Sequence, residues 1–237
     1  MVTQEDNDKL NAVLDSLRKK REGQSGTKKP ESTEQAATLT EEQLAYAGIK
    51  KRYQKVTFPA IERRGLPDDN CIRENYQRVK SYADQLEDNA KSGYGLILSG
   101  DYGTMKTTMA VATLRNWLES GHSGMIVPMC SLIDNLYTMR VLNREEFAKY
   151  EHRIRCTSLL VLDDLGGEDT DQKWVLAKVD SIITERYNEM LPTIITTNLT
   201  AEEMAGTYSG RVLDRMKNTA QRLVFNTGSQ RRNRWEE

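Results

Sequence analysis

The residues of this chain best suited to chemistry lie between an apolar run with strand character and an amphipathic helix. The run, 96–99, leads into a loop with two glycines, and Lys106 and Thr107 then stand at the head of a helix predicted over 107–119. Backbone N–H groups in such a loop and the positive end of the helix dipole attract an oxyanion. We therefore predict a phosphate site in which Lys106 reaches the β- and γ-phosphates and Thr107 ligates Mg²⁺. The predicted phosphate-binding residues are Gly100, Asp101, Tyr102, Gly103, Thr104, Met105, Lys106, Thr107 and Thr108.

Met105 departs from the usual form of this loop, which has glycine directly before the lysine. Glycine lets the backbone approach a phosphate without a Cβ in the way. We expect Met105 either to be tolerated by a slightly shifted loop or to weaken the site. For this segment taken alone, the alternative is an ordinary strand–turn–helix with a surface lysine.

Two consecutive acids end a second predicted strand. The run 159–162 is continuously apolar, which is the pattern of a strand buried on both faces of a parallel sheet, and Asp163 and Asp164 follow it. Open α/β sheets bind their ligands at this end of the strands. Asp163 is predicted to hold Mg²⁺ through water, and Asp164 to orient or deprotonate the attacking water.

Polar residues after a third predicted strand complete the candidate site. Asn198 follows the run 192–197, and at a shared sheet edge it is predicted to hydrogen-bond the water or the γ-phosphate beside Asp164. Arg211 and Arg215 lie four apart on one helical face. An arginine near a γ-phosphate stabilises the charge that develops during transfer, often from a neighbouring subunit, so this pair is predicted to be functional.

Length and composition restrict the class of protein. The 237 residues suffice for a full α/β core plus one appended element, and the net charge of -1 means that any nucleic-acid surface has to be local. Cys71, Cys130 and Cys156 lack metal-ligand spacing, so we expect reduced, partly buried thiols and no zinc site. Neither a transmembrane run nor a signal peptide is visible, which predicts a soluble, cytoplasmic protein without a membrane partner.

Three regions follow from the hydrophobic pattern. Residues 1–22 contain a short amphipathic helix with a basic end, which we interpret as an element that docks a partner. Residues 23–38 have the composition of a flexible linker. Strand and helix patterns alternate over 39–237, which predicts one domain with a doubly wound, mainly parallel sheet.

Local signals refine the elements of this domain. Capping boxes begin helices at Thr40 and Thr200, and Ser131 is predicted to begin another helix by side-chain capping. One helix is predicted over 70–90, with its aromatic residues in the core rather than on a nucleic-acid surface. The segment 56–58 is expected to pack beside a nucleotide base.

Together these motifs resemble those of the AAA+ ATPases of the DnaC/DnaI helicase-loader family, to which IstB-type transposition ATPases are closely similar. The resemblance spans about residues 48–234. Its segments are 48–58, 100–107, 160–166, 196–198, 211–216 and 225–231. Each motif alone is a weak signal, whereas six in order at fitting spacings form a strong one.

The resemblance implies an AAA+ P-loop fold that binds ATP and Mg²⁺ and hydrolyses ATP. By this resemblance Asp163 is the metal-binding acid, Asp164 the catalytic acid and Asn198 the polar sensor. Arg215 resembles the arginine finger that acts on a neighbouring subunit, through which copies of the chain associate, and Arg231 resembles a C-terminal sensor arginine.

The function implied is that of an ATP-dependent helicase loader, with the replicative hexameric helicase and single-stranded DNA as partners. Asp164 is one methylene shorter than the glutamate usual in AAA+ proteins, which together with Met105 predicts slow hydrolysis; Glu168 is a candidate for a longer carboxylate. Two alternatives stay open. One is an IstB-type transposition helper, which Asn198 in place of glutamine disfavours, and the other is a nucleotide-bound adaptor that does not hydrolyse ATP.

Overall fold

A sheet of five parallel strands organises the molecule. The computed structural model describes residues 39–168 and 170–230. The strands are β1 (Gly95–Gly100), β2 (Gly124–Pro128), β3 (Leu159–Leu165), β4 (Thr193–Thr197) and β5 (Ala220–Phe225). Their order across the sheet is β2-β3-β4-β1-β5, and every neighbouring pair is parallel. The predicted parallel α/β architecture is confirmed.

Helices precede, connect and cover the strands. A 3-10 helix spans Lys51–Tyr53. The α-helices are α1 (Glu41–Tyr46), α2 (Phe58–Arg64), α3 (Asn70–Asp84), α4 (Leu86–Lys91), α5 (Lys106–Glu119), α6 (Met129–Leu142), α7 (Arg144–Cys156), α8 (Lys173–Asn188), α9 (Ala201–Thr207) and α10 (Gly210–Thr219).

The sheet separates two hydrophobic clusters because successive side chains of a strand point to opposite faces. Leu96 and Leu98 of β1 belong to the first cluster, with residues of α2, α3 and α5. Ile97 belongs to the second, with residues of α6, α7, α8 and α10. Burial on both faces explains why β1 and β3 contain continuous apolar runs.

Local signals place most helix starts correctly, with one exception. Capping boxes at Thr40 and Thr200 begin α1 and α9, as predicted. The prediction that Ser131 begins a helix by side-chain capping is wrong, since α6 begins at Met129 without any side-chain cap. Its N-cap is Pro128, whose φ of -64° lets the chain pass directly from β2 into the helix.

The single helix predicted over 70–90 is two helices in the structure. Gln85, with φ -105° and ψ 15°, ends α3 and begins α4. The aromatic residues of α3 do lie in the core, since Tyr76 and Tyr82 are buried. The expectation of partly buried cysteines holds for Cys71 alone, because the other two cysteines are exposed.

The predicted helix of 1–22 and the linker of 23–38 lie outside the described residues. Among the helices that the structure does describe, none combines the length and the apolar character needed to cross a lipid bilayer.

Candidate functional site

The predicted phosphate loop borders a cleft of about 1290 Å³ at the carboxyl ends of the strands. This is the edge at which parallel α/β sheets bind ligands. Residues 102–108 of the loop and of α5 line the cleft, and Asp163, Asp164 and Asn198 line it from β3 and β4. Residues far apart in sequence are therefore brought together as predicted.

The ammonium group of Lys106 is held by the loop that precedes it. Its Nζ lies 2.7 Å from the carbonyl oxygen of Gly100 and also donates to the carbonyl oxygen of Asp101 and to the hydroxyl of Thr104. Lys106 is the first residue of α5, where unpaired backbone N–H groups add positive character. Positive charge is thus concentrated where a phosphate would enter.

Met105 adopts the left-handed backbone conformation that normally favours glycine. Its φ is 71°, which in a residue with a Cβ is strained by about 1–2 kcal/mol. The side chain is partly buried against the first hydrophobic cluster, and this packing offsets the strain. The fold therefore tolerates Met105 with the backbone of the loop in the form that glycine would give it.

Neither glycine of the loop leaves room for a side chain. At Gly100 a Cβ would lie 2.3 Å from the backbone oxygen of Phe225, and at Gly103 a Cβ would meet the side chain of Ser229. The Cβ at Gly103 would lie 2.1 Å from the hydroxyl oxygen of Ser229, and the φ of Gly103 is 77°. The carbonyl oxygen of Gly103 accepts a hydrogen bond from the backbone N–H of Gln230 at 3.0 Å. The segment that follows β5 thus lies directly against the phosphate loop.

Asp163 is held by two hydroxyl groups from different elements. Thr107 at the start of α5 donates to its Oδ1 at 2.8 Å, and Thr196 of β4 donates to the same oxygen at 2.7 Å. Burial raises the pKa of the Asp163 carboxyl, while these two hydrogen bonds oppose the shift. A buried carboxylate beside a threonine hydroxyl is a site that a divalent cation would stabilise.

The residues present fit Mg²⁺ bound together with a nucleotide. In the described ranges, no three His, Cys, Asp or Glu side chains come together as a metal cluster. Mg²⁺ at nucleotide sites needs only one or two carboxylates, because phosphate oxygens and water complete its coordination. Thr107 and Asp163 are suited to this arrangement.

Asp164 is oriented by Asn198. The Nδ2 of Asn198 donates to Oδ1 of Asp164 at 2.6 Å, and the backbone N–H of Asp164 donates to the hydroxyl of Thr196 at 2.9 Å. The φ of Asp164 is 61°, and the register with β4 is irregular between Leu162 and Leu165. This irregularity brings two consecutive acids to one cleft.

Glu168 is engaged away from the cleft. It is buried, and its carboxylate accepts hydrogen bonds from the hydroxyl of Tyr208 and from the backbone N–H of Gly166. These contacts connect the turn after β3 to the end of α9. Glu168 is therefore a structural residue here, and the suggestion that it supplies a longer catalytic carboxylate is not supported by its position.

The structure does not place the two predicted arginines at the cleft of their own chain. Nη1 of Arg215 donates to the hydroxyl of Thr184 on α8 at 2.7 Å, and its guanidinium lies 3.7 Å from Asp180. Arg211 forms an ion pair with Asp180 at 2.7 Å, with 67% of its side chain exposed. Arg231, the predicted C-terminal sensor, lies outside the described residues.

Several residues at the cleft did not enter the sequence prediction of the site. Thr196 bridges the two acids. It could have been predicted from the sequence, because the two-residue period of a strand places Thr196 and Asn198 on the same face. Basic residues 52, 55 and 64 also line the cleft. Of the segment expected beside a base, Val56 lines the cleft, whereas Phe58 is buried in the core.

A comparison with protein families decides the class of protein. The family model described as IstB-like ATP binding protein matches residues 80–236. The chain belongs to the IstB-like ATP-binding protein family. The match extends from α3 through the phosphate loop and both acids to the segment after β5, so it includes the candidate site.

Several curated relatives of this IstB-like protein are helicase loaders by name. Replicative helicase loader DnaC of Escherichia coli K12 is 28% identical in an alignment of 177 positions that covers 68% of this chain and 69% of DnaC. Replicative helicase loader DnaI of Bacillus subtilis is 29% identical in an alignment of 139 positions that covers 57% of this chain but 43% of DnaI.

Solved structures show the same fold. The crystal structure of the DnaC helicase loader superposes with a TM-score of 0.66 at 26% identity and covers 75% of this chain. DnaI superposes with a TM-score of 0.62 at 20% identity, and AMPPCP-bound DnaA from Aquifex aeolicus with 0.54 at 16%. The IstB-like protein therefore has the AAA+ fold.

Proposed function

We propose that this IstB-like protein is an ATP-dependent loader of a replicative helicase in DNA replication. It binds ATP with Mg²⁺, hydrolyses ATP slowly and delivers the hexameric helicase to single-stranded DNA in the cytoplasm. The observation that carries the nucleotide part of this proposal is the convergence of Lys106, Thr107, Asp163, Asp164 and Asn198 on one cleft.

Each of these residues has a role that its contacts support. Lys106 and the N-terminus of α5 bind the β- and γ-phosphates. Thr107 and Asp163, already hydrogen-bonded to each other, hold Mg²⁺, which when bound neutralises charge on the phosphate oxygens. Asp164, fixed by Asn198, orients the attacking water.

Slow hydrolysis is expected from the same geometry. Asp164 is shorter than glutamate, and one of its oxygens is already bound by Asn198 at 2.6 Å. Glu168 is committed to Tyr208 and so does not substitute for it. A nucleotide-bound adaptor without turnover is the second candidate function, and the contact between Asp164 and Asn198 is the observation that favours it.

Self-association supplies the remaining catalytic group in this proposal. Arg215 lies on α10, does not line its own cleft and is positioned by Thr184. An arginine that enters the cleft of a neighbouring copy stabilises the charge that develops on the transferred phosphoryl group. ATP then acts as a switch, because it binds more tightly to the assembled state.

An exposed aromatic pair supports contact with single-stranded DNA. Tyr137 on α6 and Trp174 on α8 are 64% and 40% exposed, and their ring centroids lie 6.3 Å apart. Bases of a single strand stack on such side chains without sequence preference. The aromatic pair is therefore our candidate base-stacking surface.

The names of the curated relatives favour a helicase loader over a transposition helper. DnaC, which this chain matches over 69% of its length, is named a replicative helicase loader. Residues 1–22 are proposed to dock the helicase through their apolar stripe.

The experiment that tests the function is a pull-down with the replicative helicase of the host, with and without ATP–Mg²⁺. We expect capture by the wild type to respond to ATP, and the response to disappear in Lys106→Ala. Lys217→Ala, which removes an exposed lysine elsewhere, is the matched control. Absence of capture in either nucleotide state would refute the loader function.

ATP turnover, measured with and without single-stranded DNA, separates the loader from the adaptor. We expect wild-type turnover to exceed that of Lys106→Ala. Turnover equal to that of Lys106→Ala, together with saturable ATP binding by the wild type, would leave the adaptor.

A further inference from the structure

A strongly basic surface borders the nucleotide cleft. Residues 50–64 contain six basic residues and one acidic residue, hence a charge of +5 in a chain whose net charge is -1. We call this surface the basic rim. Its members are Lys50, Lys51, Arg52, Lys55, Arg63 and Arg64.

The basic rim is built on two short elements at the mouth of the cleft. The 3-10 helix Lys51–Tyr53 and α2 are separated by four residues, and every basic side chain of the rim is exposed. Arg52, Lys55 and Arg64 line the cleft, and the other three members are their close neighbours in the chain. The positive surface therefore extends from the cleft onto the outer surface.

No acidic side chain among residues 39–168 and 170–230 neutralises the basic rim. The acids closest in sequence are occupied elsewhere. Glu62 accepts from Lys80, Asp68 pairs with Arg73, and Asp69 caps the start of α3.

Repulsion between these cations is therefore not offset within the described part of the chain. A bound triphosphate meets Lys106 and the N-terminus of α5, and Lys50, Lys51 and Arg63 do not line the cleft that would hold it. Although the protein as a whole is weakly acidic, this dense cluster of exposed, unpaired cations would attract an extended polyanion.

We propose that the basic rim binds the phosphodiester backbone of a nucleic-acid strand across the mouth of the nucleotide cleft. Lysine and arginine side chains contact phosphates without reading bases, so this binding is independent of sequence. The rim is distinct from the aromatic pair, since α2 packs on the first hydrophobic cluster and α6 and α8 pack on the second. The proposal does not depend on the helicase-loader function.

The test compares the full-length wild type with a variant in which Lys50, Lys51 and Arg63 are replaced by glutamine. These three positions lie outside the cleft lining, so the affinity for a fluorescent ATP analogue with Mg²⁺ is a check that the nucleotide site remains intact. Binding of a labelled 20-nucleotide oligo(dT) and of a 20-base-pair duplex is measured by anisotropy between 50 and 200 mM salt.

We expect the triple variant to bind the preferred DNA form about tenfold more weakly at the lowest salt concentration. The slope of log K against log salt is expected to fall by about 2 for a single strand, since each phosphate contact contributes roughly 0.7. For a duplex the expected fall is about 2.7, at roughly 0.9 per contact.

In the matched control, glutamine replaces Lys91, Arg144 and Lys217. These three cations are exposed and lie far from residues 50–64 in the sequence. The control changes the net charge equally and is expected to keep the wild-type slope within about 0.7. Equal effects of the two triple variants would overturn the proposal, because the effect would then be one of net charge alone.

An acidic protein partner is the competing occupant of the basic rim. Poly-L-glutamate at the same charge concentration as oligo(dT) is expected to compete poorly with the labelled DNA. Equally effective competition, or unchanged binding of both DNA forms by the variant of the rim, would overturn the proposal.

Discussion

The hydroxyl of Thr107 lies 2.8 Å from a carboxylate oxygen of Asp163, 56 positions further along the chain. This hydrogen bond joins the first turn of α5 to the end of β3. The two groups proposed to hold Mg²⁺ thus lie close enough together for a single ion to contact both.

Met105→Gly is expected to tighten ATP binding and to increase turnover. The substitution removes the Cβ of a residue whose φ is 71° and relieves about 1 kcal/mol of strain. Lost packing against the first hydrophobic cluster opposes that gain, so the free energy of unfolding should change by less than about 1 kcal/mol. Titration with a fluorescent ATP analogue and steady-state ATPase assays measure the effect.

The matched control for this substitution is Met105→Ala, which removes the thioether but keeps the Cβ. We expect Met105→Ala to bind ATP no better than the wild type. If alanine and glycine improved binding equally, the bulk of the side chain rather than the backbone conformation would be responsible.

Asp163→Asn is expected to abolish Mg²⁺-dependent ATP binding and to raise the melting temperature at pH 7. Burial raises the pKa of Asp163 above its ordinary 3.8, so the folded state holds the proton more tightly than the unfolded state. The stability that protonated Asp163 contributes to the folded state is present below about pH 4. It is lost as the pH rises through the pKa of Asp163 in the folded state. The melting temperatures of the wild type and of Asp163→Asn should therefore approach each other as the pH is lowered.

Asp134→Asn serves as the control, because Asp134 is an exposed acid. Its melting temperature should follow that of the wild type at every pH. A lower melting temperature for Asp163→Asn at pH 7 would contradict the assignment of a destabilising buried charge.

Arg215→Ala is expected to leave ATP binding by the isolated protein within about twofold and to lower assembly-linked ATPase at least about 100-fold. The guanidinium contacts Thr184 of its own chain and does not line the cleft, so the variant should lose no contact with ATP bound to the same chain. Turnover is measured against protein concentration, with Lys217→Ala as control. Weaker ATP binding by the isolated variant would contradict a role on another subunit.

Arg186→Met is expected to reduce the free energy of unfolding by about 3 kcal/mol or more. Arg186 is buried, and burial lowers its pKa to about 9. Its guanidinium donates to the carbonyl oxygens of Thr157 and Pro192 and to the hydroxyl of Thr193, and the variant leaves these acceptors unpaired. Urea denaturation measures the loss, and Arg144→Met at an exposed position should change little.

Deletion of residues 1–38 is expected to leave a folded ATP-binding protein that does not capture the helicase. The remaining chain retains both hydrophobic clusters and the cleft. Circular dichroism and ATP titration check the fold, and a pull-down checks the partner. Undiminished capture of the helicase would refute the assignment of docking to 1–22.

The sequence by itself determined the type and order of most elements and the edge at which the site lies. The run 159–162 was recognisable as a central strand because burial on both faces makes every position apolar, and β3 spans Leu159–Leu165. The phosphate loop before Lys106 was also recognisable, because the residues of its motif are adjacent in the sequence. Gln85 gave no such signal, and the division between α3 and α4 was missed there.

The sequence motif predicts that Asp163 and Asp164 serve one site, but only the tertiary structure decided how two consecutive strand residues reach the same cleft. Strand periodicity sends consecutive side chains to opposite faces, and the left-handed conformation of Asp164 breaks that alternation. Thr196, from a neighbouring strand, hydrogen-bonds both residues at this irregularity. Contacts between residues 32 and 33 positions apart depend on how the strands are ordered in the sheet, and local sequence patterns carry no information about that order.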